Sequence, residues 1–464
     1  MSLASEPDAG DAPGVARIAT LTVSALAVLI APPLYLLLDL AVVGRLGGEQ
    51  LAALGVGTLV LSIVSTQLTF LSYGTTARSA RRFGSGDRPG AVVEGVQASW
   101  IAVAVGVLIV AVAYPCAPVV MRLLVGTSSP ESAAVAEDAA GWLRIAMFGV
   151  PLILLSMAGN GWMRGVQDTR RPVVYVVVGL SLAAVLVVGL VHGVGPFPRL
   201  GLDGSAVANV IGQGVTGVLF AVRVVREARR VAVGAGHGPG SRAFAPDWSI
   251  IRAQLVMARD LIVRSLSFQI CFVSAAAVAA RFGVAPVAAH QLVLQLWEFM
   301  ALFLDSVAIA AQALVGAALG AGRLGAADSV ARRVTAVSVV AATAMAALFA
   351  AGATLIPRIF TSDAAVLDAV GVPWWFFVGM LPIAGVVFAL DGVLLGSGDA
   401  AFLRTATLAG ALIGFLPLIW LSLVFDWGLA GVWSGLVVFM LVRLATVVWR
   451  IRSGRWRRAG AVRA

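Results

Sequence analysis

Lysine is absent from this chain: all 33 basic residues are arginine, against 23 acidic residues. Charge of either sign is scarce, at 12% of 464 residues, while 60% are hydrophobic and mean hydropathy is +0.97. Soluble globular domains carry roughly 25% charged residues, so that class is excluded. Cysteine is nearly missing. Cys116 and Cys271 fall within or at the end of apolar spans, and nothing in their placement argues for a disulfide. The three histidines, His192, His237 and His290, are read as lying in or near loops, far apart in sequence. The chain has no HExxH, no GxSxG and no P-loop. These absences leave no metal centre and no catalytic constellation. They argue against an enzyme and against a self-contained ATP-driven pump.

What is present is apolar length. A helix needs about 20 apolar residues to cross the hydrocarbon core. Twelve such spans are read, at 18–43, 51–77, 92–120, 135–163, 173–194 and 203–225, then 258–281, 287–318, 329–356, 366–395, 403–425 and 428–451. The second six repeat the punctuation of the first six. GRLG at 44–47 is matched by ARFG at 280–283, FGSGDR at 83–88 by LGAGR at 319–323, and GVQD at 165–168 by GSGD at 396–399. The offsets of 236, 236 and 231 residues keep both order and spacing. The expected architecture is all-α: twelve transmembrane helices in two six-helix lobes related by an internal repeat. Internal repeats with a pathway between them are how many secondary transporters are built.

The net charge of +10 is placed by topology rather than by a nucleic-acid partner. Arginines gather in alternate loops, around 78–88, 164–171, 223–242, 323–333 and 450–463. By the positive-inside rule this alternation puts both termini in the cytoplasm. The domain reading is a disordered cytoplasmic tail at 1–16, an N-terminal lobe at 17–225, a cytoplasmic linker at 226–257, a C-terminal lobe at 258–451 and a basic cytoplasmic tail at 452–464. The linker contains the flexible run GAGHGPG (234–240), followed by an expected interfacial helix at 246–257. Trp427 and Trp433 suit the outer membrane interface, Trp449 and Trp456 the inner one.

Polar groups inside the spans are the candidate site, because lipid does not tolerate them. Asp39 lies in the outer part of the first span, with Tyr35 and Pro32 four and seven residues before it on the same helical face. An acid that exists neutral or charged, on a helix carrying the Pro32–Pro33 pair as a hinge, is a proton-coupling device. Prolines also interrupt the fourth span at Pro151 and the tenth at Pro382. In the eighth span Gln291, Gln295, Glu298, Asp305 and Gln312 keep to one face and are expected to line a cavity. The second span has a Ser/Thr version of this stripe, Ser62, Ser65, Thr69, Ser72 and Thr76, which interhelical hydrogen bonding equally explains. Gln67 and Asn160 are further cavity candidates. Arg144 and Asp391 complete the inventory of main intramembrane charges. Arg144 is expected to pair with Asp39, and Asp391 to brace the turn at Gly396.

These residues resemble the multidrug and toxic compound extrusion (MATE) family, in its DinF-like branch. The resemblance is carried by LDLAVVGRLGGEQLAALGVG at 38–57, WLRIAMFGVP at 142–151, GNGWMRGVQDTRRPV at 159–173, AAHQLVLQLW at 288–297, LDSVAIAAQALVGAALGAGR at 304–323 and LDGVLLGSGD at 390–399. It implies two six-helix lobes and export of organic, often cationic, compounds in exchange for H⁺ or Na⁺, with no other cofactor. It puts the family's first-helix acid on Asp39, with first-helix bending accompanying its protonation. Family members also network that acid with an Asn and an Asp of the fifth helix. Here span 173–191 offers only Tyr175 and Ser181.

The expected function is therefore export of lipophilic, cationic small molecules by antiport, through alternating access. The chain is expected to act as a monomer in the lipid bilayer of a bacterial inner membrane, the all-arginine, Ala/Gly-rich composition suiting a high-GC genome. The alternative is a flippase for a lipid-linked precursor. That class favours a more cationic cavity than one carrying two carboxylates on its eighth span.

Overall fold

The computed structural model describes residues 14–126, 128–234 and 244–461. His237, most of the 234–240 run, residues 1–13 of the N-terminal tail and the last three residues lie outside the described residues. Among those described, all regular structure is helical. The first half forms α1 (Val15–Val43), α2 (Gly48–Gln67), α3 (Phe70–Gly84), α4 (Arg88–Val125), α5 (Pro130–Met147), α6 (Val150–Gly165), α7 (Arg170–His192) and α8 (Leu202–Gly234). The second forms α9 (Trp248–Arg281), α10 (Val284–Gly320), α11 (Leu324–Ala351), the short α12 (Ile356–Phe360), α13 (Ala364–Gly396), α14 (Ala400–Ala409), α15 (Leu416–Val424) and α16 (Gly428–Arg452). A π-helical turn at Gly410–Phe415 joins α14 to α15. Among the described residues eleven segments are long and apolar enough to cross a membrane, and α5 with α6, bent by 45° at the break before Pro151, brings the number to twelve when counted as one span.

Capping explains several starts. Asp87 accepts a hydrogen bond from the Gly90 amide (2.8 Å) at the head of α4. Ser129 and Ser132 cap each other's amides (3.1 Å) at the head of α5, with Pro130 in the first turn. The repeated loops share a backbone feature as well. Gly47 and Gly283, Gly86 and Gly322, and Gln167 and Gly398 all take positive φ, at the 236-, 236- and 231-residue offsets of the sequence repeat. Gly201 (φ 58°) and Gly428 (φ 57°), heading α8 and α16, add a fourth pair at an offset of 227. A left-handed residue costs an L side chain energy, which is why glycine fills seven of these eight positions.

The chain divides into two compact units: Met1–Val23, Ala80–Gly86 and Met257–Ala464 in one, and Ser24–Ser79 and Asp87–Val256 in the other. The first unit holds a core of Trp374, Phe377, Phe415, Trp433, Phe439 and their neighbours, with Phe415 and Phe439 edge to face at 5.8 Å. Within it α10 is completely enclosed from Ser306 to Gly320, and α13 from Ala389 to Gly396. Gly392 and Gly396 of α13 lie directly on the backbone of Ala308 and Gln312 of α10, with no room for a Cβ. The second unit repeats that contact, with Gly161 of α6 seated on the backbone of Ser72 in α3. Its own apolar cluster contains Val28, Val96, Trp162, Met163 and Phe220. Small residues are what let membrane helices approach this closely.

Several expectations are corrected. α1 runs unbroken through Pro32 and Pro33, and α13 through Pro382; only the Pro151 region breaks its span. Pro32 and Pro33 are exposed while Tyr35 and Asp39 are buried, so the face that Pro32, Tyr35 and Asp39 share is covered at Asp39 and uncovered at Pro32. The second span breaks at Leu68–Thr69, where amides bond three residues back, to Ser65 and Thr66. The 246–257 segment is no separate helix, because α9 starts at Trp248 and continues to Arg281. Trp433 and Trp456 are core residues, leaving Trp427 and Trp449 as the exposed pair of the four. His290 is inside α10, 3% exposed and edge-on to Trp433 at 5.8 Å. Cys116 and Cys271 are both free thiols.

Candidate functional site

In the unit formed by most of the first half, α1 presents Ala25, Val28, Tyr35, Asp39 and Val42 as a buried stripe at helical spacing. Asp39 is 1% exposed. The Ser205 hydroxyl on α8 donates to its Oδ2 at 2.8 Å, and Trp142 Nε1 on α5 donates to Ser205 Oγ at 3.1 Å. Indole N–H can only donate, so it occupies a lone pair of the hydroxyl and leaves the Ser205 proton for Asp39. Gly57 on α2 lies against the Trp142 ring, where any Cβ would collide. Asp39 Oδ1 and Tyr35 Oη have no hydrogen-bond partner among the described residues. Three helices thus hold one oxygen of the carboxylate and leave the other open.

The sequence missed Ser205 and the role of Trp142. Tyr175 packs edge-on against Phe220 at 5.2 Å and Ser181 is exposed, so the fifth span supplies no partner for Asp39; the sixth does. Nor does Arg144 pair with Asp39 among the described residues. Its Nε donates to the Tyr114 carbonyl at 3.3 Å and its guanidinium lies 5.2 Å from the Tyr114 ring centre. The reason is helical phase: Trp142 faces the Asp39 network, and a residue two further on points about 200° away. Gln67 is half-buried and Asn160 buried, each with its side-chain oxygen unpartnered among the described residues. Thr76 donates to the Gly161 carbonyl at 3.1 Å, so that end of the Ser/Thr stripe is helix packing.

In the other unit, Gln291, Gln295 and Glu298 share an exposed face of α10, while Val293, Leu294, Trp297 and Met300 fill the core. Asp305 is half-buried and Gln312 fully buried, so the stripe descends from an open face into enclosed helix. Asp391 does more than brace a turn. It is 3% exposed, and its Oδ2 accepts from Arg264 Nη2 on α9 (2.6 Å) and from Arg443 Nη2 on α16. The Arg443 guanidinium lies 4.9 Å from the Phe268 ring centre and 5.6 Å from that of Phe439. Both arginines stand inside apolar spans of the sequence, and that placement was the signal that could have found them.

The repeat offsets allow the surroundings of Asp39 and Asp391 to be compared position by position. The 231-residue offset carries Asn160 onto Asp391, and the others carry Val28 onto Arg264 and Thr216 onto Arg443. In the opposite direction Asp39 falls on Ala275 and Ser205 on Val432. All ten positions are buried or nearly so, so the helical faces correspond while the chemistry does not.

A duplicated all-helical membrane protein with buried, incompletely bonded ionisable groups has the form of a transporter. A family model described as MatE matches residues 24–188 and 261–420. The chain is 29% identical over 437 residues to DNA damage-inducible protein F of Escherichia coli (strain K12), covering 92% of this chain and 90% of that protein. It is 28% identical over 467 residues to Protein DETOXIFICATION 44, chloroplastic, of Arabidopsis thaliana, covering 97% and 85%. Among solved structures, its fold is similar to that of a MATE protein in the bent conformation (TM-score 0.83, 22% identity, 95% of each chain). It is similarly close to one in the straight conformation (TM-score 0.81, 22% identity, 95% and 96%). The chain belongs to the MatE family of membrane transporters, in its DinF-like branch. It is a multi-pass secondary transporter that exports compounds.

Proposed function

We propose that this transporter exports lipophilic organic cations by antiport with H⁺, coupled at Asp39. The observation that carries this reading is the Asp39 carboxylate itself: 1% exposed, one oxygen held by Ser205 and the other unpartnered among the described residues. A buried acid with an open oxygen is suited to carry a proton in one state and face a cation in another. The halves 17–225 and 258–451 act as the alternating lobes, in a bacterial cytoplasmic membrane with both termini inside. Cargo meets ionised Asp39 or Glu298, the lobes open outward, a proton neutralises Asp39, α1 bends at Pro32–Pro33 and the cargo leaves.

The test is ethidium efflux from membranes with a pH gradient and a Na⁺ gradient imposed separately, with Asp39→Asn in parallel. Export that follows the pH gradient and fails in the variant supports the reading. Export driven by Na⁺ alone, or unimpaired in the variant, overturns it. Glu298→Gln is expected to weaken transport of cationic cargo more than neutral cargo; an equal effect removes Glu298 from the cargo path.

A further inference from the structure

The Asp391 cluster is not charge-balanced. A buried guanidinium, Arg443, and a partly buried one, Arg264, share one carboxylate, and both approach the same oxygen. Asp391 Oδ1 and Arg264 Nε are left without a partner among the described residues. Arg443 Nη1 has only the Met440 thioether, at 4.0 Å. An arrangement made solely to neutralise Asp391 needs one arginine in a two-pronged contact with both oxygens. A second guanidinium drawn in from water beside one carboxylate leaves an excess positive charge that another anion would balance.

The cluster is also accessible. On α9 the lipid-like exposed residues Leu266, Ile270 and Val273 lie on the side opposite Arg264. Asp260, Cys271 and Ala275 on the Arg264 side are sealed, yet the Arg264 side chain remains 17% exposed. Met257 and Phe268, on the same side of α9, are also partly exposed, so this face is not fully covered around the cluster. One turn before Arg264, Asp260 is again outnumbered, by Arg404 (2.6 Å) and Arg259 (2.9 Å). Two arginines thus also surround the acid one turn nearer the start of α9. Asp391 and Arg443 sit five and nine residues before the ends of α13 and α16, about 8 and 14 Å along their axes.

We infer that Arg264, Asp391 and Arg443 form a binding site for an oxyanion, the phosphate or carboxylate of an amphiphile, within the second-half bundle. Arg264 supplies the free donor, Arg443 the fixed charge, and Asp391 holds the two guanidinium groups together. Phe268 lines the same place with an aromatic ring over which both guanidinium groups lie. The cargo range then extends from cations to zwitterionic and anionic amphiphiles. That extension rests on the exporter reading; the binding site does not.

The experiment measures the thermal unfolding midpoint of the purified full-length protein in neutral detergent against increasing decyl phosphate, decanoate or decyltrimethylammonium. Both anions are expected to raise the midpoint saturably, and the cation is not. Arg264→Gln should raise the half-saturating concentration of decyl phosphate at least about tenfold, the loss expected for a charged hydrogen bond, with Arg264→Lys in between. Asp39→Asn should leave it unchanged, so failure of proton coupling and failure of this site are told apart. Nanodiscs with and without phosphatidylglycerol distinguish the source. Competition by that lipid identifies a bilayer headgroup as the occupant, and its absence identifies a soluble amphiphile. No saturable response, an equal response to the cation, or an undiminished response in Arg264→Gln overturns the site.

Discussion

Where the second half of the chain carries Asp391 between Arg264 and Arg443, the first half carries Asn160, Val28 and Thr216. Where the first half carries Asp39 and Ser205, the second carries Ala275 and Val432. The two halves keep the same glycine contacts, Gly161 on Ser72 and Gly392 on Ala308, so the backbone plan is shared. The charges have moved to different helices in each. An acid with one hydroxyl partner can gain or lose a proton without leaving another charge stranded. An acid between two guanidinium groups cannot, because losing its charge leaves two buried cations. On the proposed reading, ion coupling falls to Asp39 in the first half and the inferred oxyanion site to the second.

The largest expected effect separates the acids by activity. Asp39→Asn should reduce gradient-driven efflux to background while changing stability by no more than about 1 kcal/mol, since the amide carbonyl still accepts from Ser205. Efflux assays alongside thermal melts of the same preparation check both halves of that statement. Asp391→Asn should do the reverse at the level of folding, costing about 3–5 kcal/mol because Arg264 and Arg443 lose their counter-charge. The triple replacement Arg264→Met, Asp391→Leu, Arg443→Met should recover most of that loss. If Asp391→Asn melts like the parent protein, the contrast between the two acids collapses.

Smaller effects test the shared backbone. Gly161→Ala and Gly392→Ala should each cost about 1–3 kcal/mol, because the added methyl meets the backbone of Ser72 or Ala308. A cost at only one of the pair, read by denaturation, would show that the contact is not duplicated in solution. The smallest effect is at the loop pair. Gln167 holds φ 60° where its repeat partner Gly398 holds φ 74°. Gln167→Gly should stabilise by about 1 kcal/mol and Gly398→Gln destabilise by a similar amount, the cost of placing an L side chain in the left-handed region. Opposite signs in the two melts are the expected outcome.

Much of this was legible in the residues. Span length, the loop repeat and the isolated Asp39 are local facts, since each depends on the cost of putting a given residue type into lipid or into a left-handed turn. Arg264 and Arg443 lie inside apolar spans, but a long arginine stem can carry its charge out of the apolar core, so position in a span does not by itself mark the guanidinium as enclosed. Arg144 does not meet Asp39 because equal depth in the membrane leaves helical phase undetermined. What the sequence by itself determined is a duplicated helical membrane transporter with one costly acid on its first helix. Only the tertiary structure decided the partners. Ser205 lies 166 residues from Asp39, and Arg264 and Arg443 lie 127 and 52 residues from Asp391. Which faces meet depends on how each helix is rotated, and that is fixed by glycine contacts and core packing summed over many residues.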